Sequence, residues 1–80
     1  MIDKAFARAL VKLRAEKGLS QEALGHEIGL HRTYVSMLER GINSPTLRTL
    51  DRLAHFFGIS LSRLMDLVAE EMDPAESGSR

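Results

Sequence analysis

The sequence contains no cysteine, and this absence excludes several kinds of chemistry at once. Without thiols the chain has no disulfides, no thiolate zinc site and no cysteine nucleophile. The absence also fits a reducing compartment, so we expect a cytoplasmic protein. Long apolar runs are missing too. The first 25 residues alternate basic with apolar side chains, and we therefore expect neither a signal peptide nor a membrane span.

Side-chain groups that could bind a metal or carry out catalysis are also missing. The three histidines are far apart in sequence, are predicted to lie on different helices and have no cluster of carboxylates beside them: His26, His31 and His55. We interpret them as surface residues. So few polar residues in so small a core cannot supply paired carboxylates or a nucleophile beside a base. We predict no enzymatic activity, no metal, no cofactor and no small-molecule substrate.

Charge is unevenly distributed along the chain. Its 80 residues are 44% hydrophobic and 28% charged, which is typical of one small globular domain, and the net charge is zero. Zero net charge by itself argues against a nucleic-acid partner. However, residues 1–65 carry ten Lys or Arg against six Asp or Glu, whereas residues 66–80 carry one against five. A mildly basic body precedes an acidic tail, although an ordinary surface can show the same division.

The spacing of apolar residues predicts an all-α fold with five helices. Glycines and capping Ser or Thr residues separate the helices. Leu47 is predicted to begin the buried face of the fourth helix. We expect one domain, residues 1–72, followed by a disordered acidic tail, residues 73–80, which lacks apolar anchors. The predicted helices cover residues 3–17, 21–28, 32–40, 47–57 and 61–72.

The stretch SQEALGHEIGLHRTYVSMLERG, residues 20–41, contains two short helical patterns on either side of Gly29. Gly29 permits a sharp turn, and Gly25 has no Cβ where the two backbones must approach most closely. The apolar residues that would pack these helices into the core are Leu24, Ile28, Val35 and Leu38. The pattern indicates a helix-turn-helix unit.

The outer face of the predicted third helix is composed of arginine, hydroxyl and methionine side chains, without an acid. Counted at 100° per residue from Val35, this face consists of Thr33, Ser36, Met37 and Arg40, with Arg32 at its flank. Arginine can pair with guanine, hydroxyls with bases or phosphates, and an apolar side chain with a thymine methyl group. An ordinary surface helix more often carries Glu and Lys pairs. The composition favours a helix that enters the major groove of DNA.

The same stretch, followed by INSPTLRTL, resembles the phage-repressor and Cro-like helix-turn-helix family of DNA-binding regulators. The resemblance extends over about residues 6–67. It implies a compact five-helix domain like that of lambda repressor, with the third helix as the recognition helix. It depends on a set of positions taken together: Gln21, Leu24, Ile28, Gly29, Leu30, Val35, Leu38, Glu39, Arg40, Gly41 and Pro45.

The resemblance also implies roles for single residues. Base contacts are implied for Arg32, Thr33, Ser36 and Met37. Phosphate contacts are implied for Gln21, Tyr34, Arg40, Asn43 and Ser44. Tyr34 and Ser36 could equally touch the phosphate backbone or simply pack. Arg14 and Glu39 match a structural ion pair. His31 stands where a Ser or Thr often caps the recognition helix, so we expect a less well held helix end or a histidine that contacts phosphate.

The predicted fifth helix has more apolar residues than one buried stripe requires. With one residue of the fourth helix they form a band, Phe56, Leu61, Leu64, Met65, Val68 and Met72. We interpret this band as a homodimer interface rather than as the buried side of a last helix. Two-fold symmetry would then place two recognition helices about 34–36 Å apart and predicts a palindromic operator.

We therefore predict a sequence-specific regulator of transcription, repressor or activator, that binds double-stranded DNA. The short form resembles the autoregulated controller proteins of restriction-modification systems. The alternative is a helical protein-interaction module of the antitoxin or anti-regulator type, which acts through its last helix and has lost contact with DNA. Gln21, Arg32 and Arg40 favour the DNA-binding hypothesis, because a purely protein-binding module does not need them on this face.

Overall fold

Five helices make up the fold of residues 2–72, the part of the chain that the computed structural model describes. Every predicted helix is present, and each boundary lies within two residues of its predicted position. No helix in this range is both long and apolar enough to cross a bilayer. The predicted acidic tail, 73–80, lies outside the described residues. The helices are α1 (Ile2–Glu16), α2 (Gln21–Ile28), α3 (Arg32–Glu39), α4 (Leu47–Phe57) and α5 (Leu61–Glu70).

Polar caps and glycines explain why the boundaries were predictable. A hydroxyl oxygen before α2, α4 and α5 accepts a hydrogen bond of 2.9–3.0 Å from the backbone amide three residues later. This bond satisfies one of the amides that a helix start leaves without a partner. Gly29 and Gly58 end α2 and α4 with φ angles of 73° and 71°, which glycine adopts without steric cost. The capping residues are Ser20, Thr46 and Ser60.

Each of the five helices contributes one of its sides to the hydrophobic core. The helices α2 and α3 have only eight residues each, and helices this short are marginal in water by themselves. Their stability therefore depends on packing against α1, α4 and α5, and each large aliphatic side chain that is fully buried contributes about 1.5–3 kcal/mol. The buried residues are Ala5, Phe6, Ala9, Leu10, Leu24, Ile28, Val35, Leu38, Leu53, Ala54, Leu64 and Val68.

The turn between α2 and α3 brings the two backbones into close contact at Gly25. A Cβ on Gly25 would lie 2.4 Å from the carbonyl oxygen of Leu30, far closer than real Cβ atoms come. The Leu30 amide also donates a hydrogen bond of 2.8 Å to the Gly25 carbonyl. The prediction that this position requires glycine for close approach is confirmed. This close approach of the Gly25 and Leu30 backbones helps to set the direction in which α3 follows α2.

Three apolar residues lie where the sequence did not place them. Leu47 is 77% exposed, so the prediction that it begins the buried face of α4 is wrong. It is the first residue of the helix, and its Cβ is tilted toward the helix N-terminus, away from the core. Leu64 and Val68 are 1% and 3% exposed. They form the inner side of α5 and pack in the core of the single chain, and their predicted contacts across a dimer stay predictions.

Candidate nucleic-acid interface

An ion pair joins α1 to the last turn of α3. The Arg14 Nε and Nη2 atoms donate to the two Glu39 carboxylate oxygens at 2.6 and 2.8 Å, and Nη1 donates to the Leu19 carbonyl at 2.8 Å. The Glu39 side chain is only 4% exposed. Hydrogen bonding to Glu39 and its negative charge raise the pKa of Arg14 above its ordinary value. The two residues predicted to pair are in contact, and they hold the inner side of α3 against α1.

Gln21 extends this connection to α2. Its Nε2 atom donates to Glu39 Oε1 at 2.9 Å, so one carboxylate connects three helices. A side-chain amide nitrogen carries two hydrogens, and the second can be offered to a phosphate. Gln21 is also the first residue of α2, where the helix dipole favours an anion. The phosphate contact at Gln21 stays a prediction. The hydrogen bond to Glu39 holds the Gln21 side-chain amide in one orientation.

His31 caps the N-terminus of α3. Its Nδ1 atom accepts a hydrogen bond of 3.0 Å from the Thr33 amide. A ring nitrogen accepts only when it carries no hydrogen, so in the neutral ring the hydrogen lies on Nε2. A histidine nitrogen therefore replaces the usual hydroxyl oxygen at this cap, and the expectation of a less well held helix end stays a prediction. Contact between His31 and a phosphate stays a prediction.

An open cleft of about 560 Å³ lies between the first turns of α2 and α3. Three of the four residues predicted to contact bases line it, namely Arg32, Thr33 and Ser36. Gln21 lines it too, together with Arg14, Ser20 and Glu22. The cleft thus brings predicted base contacts and a predicted phosphate contact onto one surface. Glu22 adds an acid beside the outer face of α3 that the count along that helix did not include.

Met37, Asn43 and Tyr34 lie outside this cleft. Met37 is half-buried, and its sulfur lies 4.0 Å from the Asn43 side-chain nitrogen in the loop that follows α3. Tyr34 is also half-buried and packs against the core. The predicted DNA contacts of all three remain predictions.

The loop between α3 and α4 is attached to the first turn of α1. Lys4 Nζ donates to the Arg40 carbonyl at 2.8 Å, and Ser44 Oγ donates to the Asp3 carboxylate. The hydroxyl hydrogen of Ser44 is thus directed to a carboxylate, which repels phosphate. This bond shows that Ser44 supports the loop, and the predicted phosphate contact at Ser44 stays a prediction. Sequence reasoning missed Asp3 and Lys4 as part of this site, because they are about 40 residues away in sequence.

The six residues predicted for the dimer interface do not form one surface. Leu64 and Val68 are inside the core of the single chain. The Phe56 ring packs edge-on against Phe57 with centroids 5.2 Å apart, and Lys17 Nζ lies 5.2 Å from the Phe56 ring. Phe56 therefore belongs to the side of the molecule where α4 meets α2. Met72 is half-buried and packs against the core, whereas Leu61 is 38% exposed and Met65 is half-buried.

An apolar groove that includes two residues of the predicted band, Met65 and Val68, opens between the first turn of α1, the loop before α4, and α5. Its lining residues are Ile2, Asp3, Phe6, Ser44, Pro45, Leu50, Met65 and Val68. Ile2 is 58% exposed, and the exposed Leu47 and Leu61 lie within about one helical turn of Leu50 and Met65. We call this surface the α1–α5 groove. It lies directly beside the loop that follows the recognition helix.

Comparison with known proteins identifies the family. The helix-turn-helix family model matches residues 10–64. The control protein C.MunI of a Mycoplasma species is 40% identical over 67 residues, which cover 82% of this chain and 90% of that protein. The control protein C.BamHI of Bacillus amyloliquefaciens is 34% identical over 62 residues, 76% of each chain. The crystal structure of the clp gene regulator ClgR from Corynebacterium glutamicum superposes with a TM-score of 0.84, at 26% identity, over 98% of this chain and 83% of that one.

The chain belongs to the helix-turn-helix family of transcriptional regulators, which bind double-stranded DNA. The predicted family and the predicted five-helix fold are confirmed. The related proteins are regulators of transcription rather than enzymes, and they include a phage repressor, RstR, and an activator, BcrR. Within residues 2–72, no three His, Asp or Glu side chains lie together as metal ligands would.

Proposed function

We propose that two copies of this chain bind a palindromic operator in the cytoplasm and regulate transcription from it. The observation that carries the proposal is the geometry of α3. Its inner side is fixed by Val35 and Leu38 in the core and by the Arg14–Glu39 pair. Its outer side presents Arg32, Thr33 and Ser36 to an open cleft. A rigid helix with polar groups on one exposed side suits readout of bases in the major groove.

Within this proposal the predicted contacts divide into base readout and phosphate binding. Base edges meet Arg32, Thr33, Ser36 and Met37. Phosphates meet Gln21, Tyr34, Arg40 and Asn43, which surround α3 at its start, along its side and beyond its end. Phosphate contacts set the position of the helix on the duplex, and base contacts set the sequence preference. The net charge of +4 on residues 1–65 supplies electrostatic attraction despite the neutral total.

The α1–α5 groove supports the proposed homodimer. It is apolar, exposed at Ile2, and continuous with the loop that follows the recognition helix. A second copy related by two-fold symmetry and seated there would present both α3 helices to the same side of the duplex. Half-sites are then expected about 34–36 Å apart, one helical turn of DNA. Binding through two copies also doubles the phosphate contacts that each body provides.

The similarity to C.MunI and C.BamHI supports a more specific proposal. We infer that the protein is an autoregulated controller of a restriction-modification system, whose operator lies close to its own promoter. In such an arrangement the protein concentration and the dimerisation equilibrium together set operator occupancy. Both repression and activation are compatible with this arrangement.

The test is selection of bound duplexes from a random pool with the wild-type protein, followed by sedimentation of the complex. The proposal predicts enrichment of an inverted repeat with half-site centres about one helical turn apart, bound by two copies. Enrichment of a single half-site bound by one copy would contradict the dimer. Failure to enrich any sequence would contradict the proposal as a whole and favour the protein-interaction module.

A further inference from the structure

The first turn of α1 holds the loop between α3 and α4 at both of its ends. At the beginning of the loop, Lys4 Nζ donates to the Arg40 carbonyl at 2.8 Å. At the far end, the Asp3 carboxylate accepts the Ser44 hydroxyl. We call Asp3 and Lys4 the loop clamp. Two consecutive residues of one helix thus fix two points that are four residues apart on another segment.

The backbone of the loop lies unusually close to the clamp. Gly41 has a φ angle of 72°, and a Cβ at this position would lie 2.6 Å from Lys4 Cδ and 3.3 Å from Lys4 Cα. The Lys4 side chain therefore lies directly against the loop backbone, and a Cβ on Gly41 would force this side chain to move. The first turn of α1 therefore contacts the loop at three residues, Arg40, Gly41 and Ser44, and not through a single exposed hydrogen bond.

The charged groups of Asp3 and Lys4 both form hydrogen bonds with the loop of the same chain. The Arg40 carbonyl lies at the C-terminal end of α3, where the helix dipole is negative and a lysine is stabilising. Asp3 places a negative charge on the loop that is proposed to meet phosphates. As a direct participant in DNA binding, a carboxylate here would only weaken affinity. Its presence is explained if its contribution is to hold Ser44 in place.

We propose that Asp3 and Lys4 are positioning residues for DNA binding, which hold the loop so that Arg40 and Asn43 reach the phosphate backbone. The inference rests on the proposed function. It assigns to the first turn of α1 a role in affinity that does not require contact with DNA. The clamp also connects the loop to the α1–α5 groove. Asp3 and Ser44, which form the hydrogen bond at the far end of the loop, both line this groove.

The sign of one mutational effect tests the role of Asp3. Removal of an acid near phosphates raises affinity if charge alone matters. The clamp predicts the opposite for Asp3→Ala, a loss of about 3- to 10-fold for the selected operator, since the loop loses one anchor. Asp3→Asn keeps an acceptor for Ser44 without the charge and is expected to bind at least as tightly as the wild type. Asp51→Ala, which removes an exposed acid from α4, gives the size of the charge effect alone.

Lys4 is tested by a double-mutant cycle with Arg40. If Lys4 acts by positioning, Lys4→Met weakens operator binding about 3- to 10-fold in the wild-type background and has little effect in the Arg40→Ala background. Lys4→Arg, which keeps a donor of similar length, is expected to recover most of the loss. If Lys4 instead contacts phosphate directly, the two losses add and Lys4→Met lowers the salt slope by about one in the Arg40→Ala background as well. Urea denaturation selects conditions in which every variant is folded.

The failure of this inference and the failure of the proposed function give different results. A wild-type protein that enriches no duplex contradicts the proposed function. A wild-type protein that binds its operator, together with an Asp3→Ala variant that binds more tightly in the manner of Asp51→Ala, contradicts the clamp alone. Additive losses in the Lys4 and Arg40 cycle would also overturn the positioning role.

Discussion

The Arg14 guanidinium and the Glu39 carboxylate meet through two hydrogen bonds, of 2.6 and 2.8 Å, across 25 residues of sequence. The pair lies on the inner side of α3, behind the face proposed to read DNA. Because Glu39 also accepts a hydrogen bond from Gln21, this carboxylate sets the relative positions of α1, α2 and α3. The orientation of α3, the proposed recognition helix, therefore depends on one buried acid.

Replacement of this acid is expected to destabilise the fold. Glu39→Gln leaves the Arg14 cation part-buried without its counter-charge and is expected to lower the free energy of unfolding by about 2–4 kcal/mol. The matched control is Glu70→Gln, which breaks an exposed pair with Arg63 and should cost less than about 1 kcal/mol. Urea denaturation measures both. Equal losses for the two variants would show that burial does not strengthen the Arg14–Glu39 pair.

The raised pKa of Arg14 predicts how this stabilisation depends on pH. A cation whose pKa is higher in the folded state stabilises the fold fully below its ordinary pKa, and stops doing so as the pH rises past the raised value. The difference in unfolding free energy between wild type and Arg14→Met should therefore stay constant from about pH 8 to about pH 10. A decline of this difference within that interval would contradict the assignment.

The histidine cap of α3 gives a second stability prediction. His31→Ala removes the acceptor for the Thr33 amide and is expected to cost about 1 kcal/mol of unfolding free energy. His31→Ser restores an oxygen acceptor at the same position and should recover most of the loss. Urea denaturation of the three proteins compares them directly. If serine is no better than alanine, the Nδ1 contact does not stabilise the helix.

Alanine substitutions at two glycines with similar backbone angles distinguish the cost of backbone strain from the cost of a steric clash. Gly18 and Gly41 have φ angles of 66° and 72°, but a Cβ on Gly18 would meet nothing within 4 Å. Gly18→Ala is therefore expected to cost only the backbone strain, about 1–2 kcal/mol. Gly41→Ala also forces the Lys4 side chain away from the loop and should cost about 1 kcal/mol more. Thermal or urea unfolding of both variants gives the comparison, and equal costs would contradict the close approach of α1 to the loop.

The α1–α5 groove makes a prediction about assembly. Ile2→Lys changes a residue that is 58% exposed in the single chain, so it should leave monomer stability nearly unchanged. In a dimer it would bury two charges, and we expect the dimer dissociation constant to rise at least about 10-fold in sedimentation equilibrium. Val11→Lys, at an exposed position of the same helix that does not line the groove, is the matched control. Equal dimerisation of both variants would place the interface elsewhere.

Local signals explain why so much of the fold could be predicted from the sequence. The N-caps Ser20, Thr46 and Ser60 accept hydrogen bonds from amides only three residues away, and Gly29 and Gly58 end helices through their own backbone angles. The signals that set the helix boundaries are therefore local in sequence. The helix-turn-helix spacing is equally local, because it lies within one continuous stretch of chain.

Other parts of the structure depend on packing that the sequence pattern does not contain. Which stripe of α5 becomes buried is decided by its contacts with α1 and α4, and these contacts bury Leu64 and Val68, which the sequence pattern did not separate from the exposed Leu61. The clamp contacts of Asp3 with Ser44 and of Lys4 with Arg40 span 41 and 36 residues. No helical or turn periodicity connects positions so far apart.

In the proposed function the outer face of α3 reads bases, while the residues around it bind phosphate. The most direct measurement is the affinity of wild type, Arg32→Ala and Arg40→Ala for the selected operator and for a mixed-sequence duplex, as a function of salt. We predict that Arg32→Ala loses about 1–3 kcal/mol on the operator and little on mixed DNA. Arg40→Ala should lose the same amount on both duplexes and lower the salt slope by about one. Equal losses on both duplexes for both variants would contradict the account.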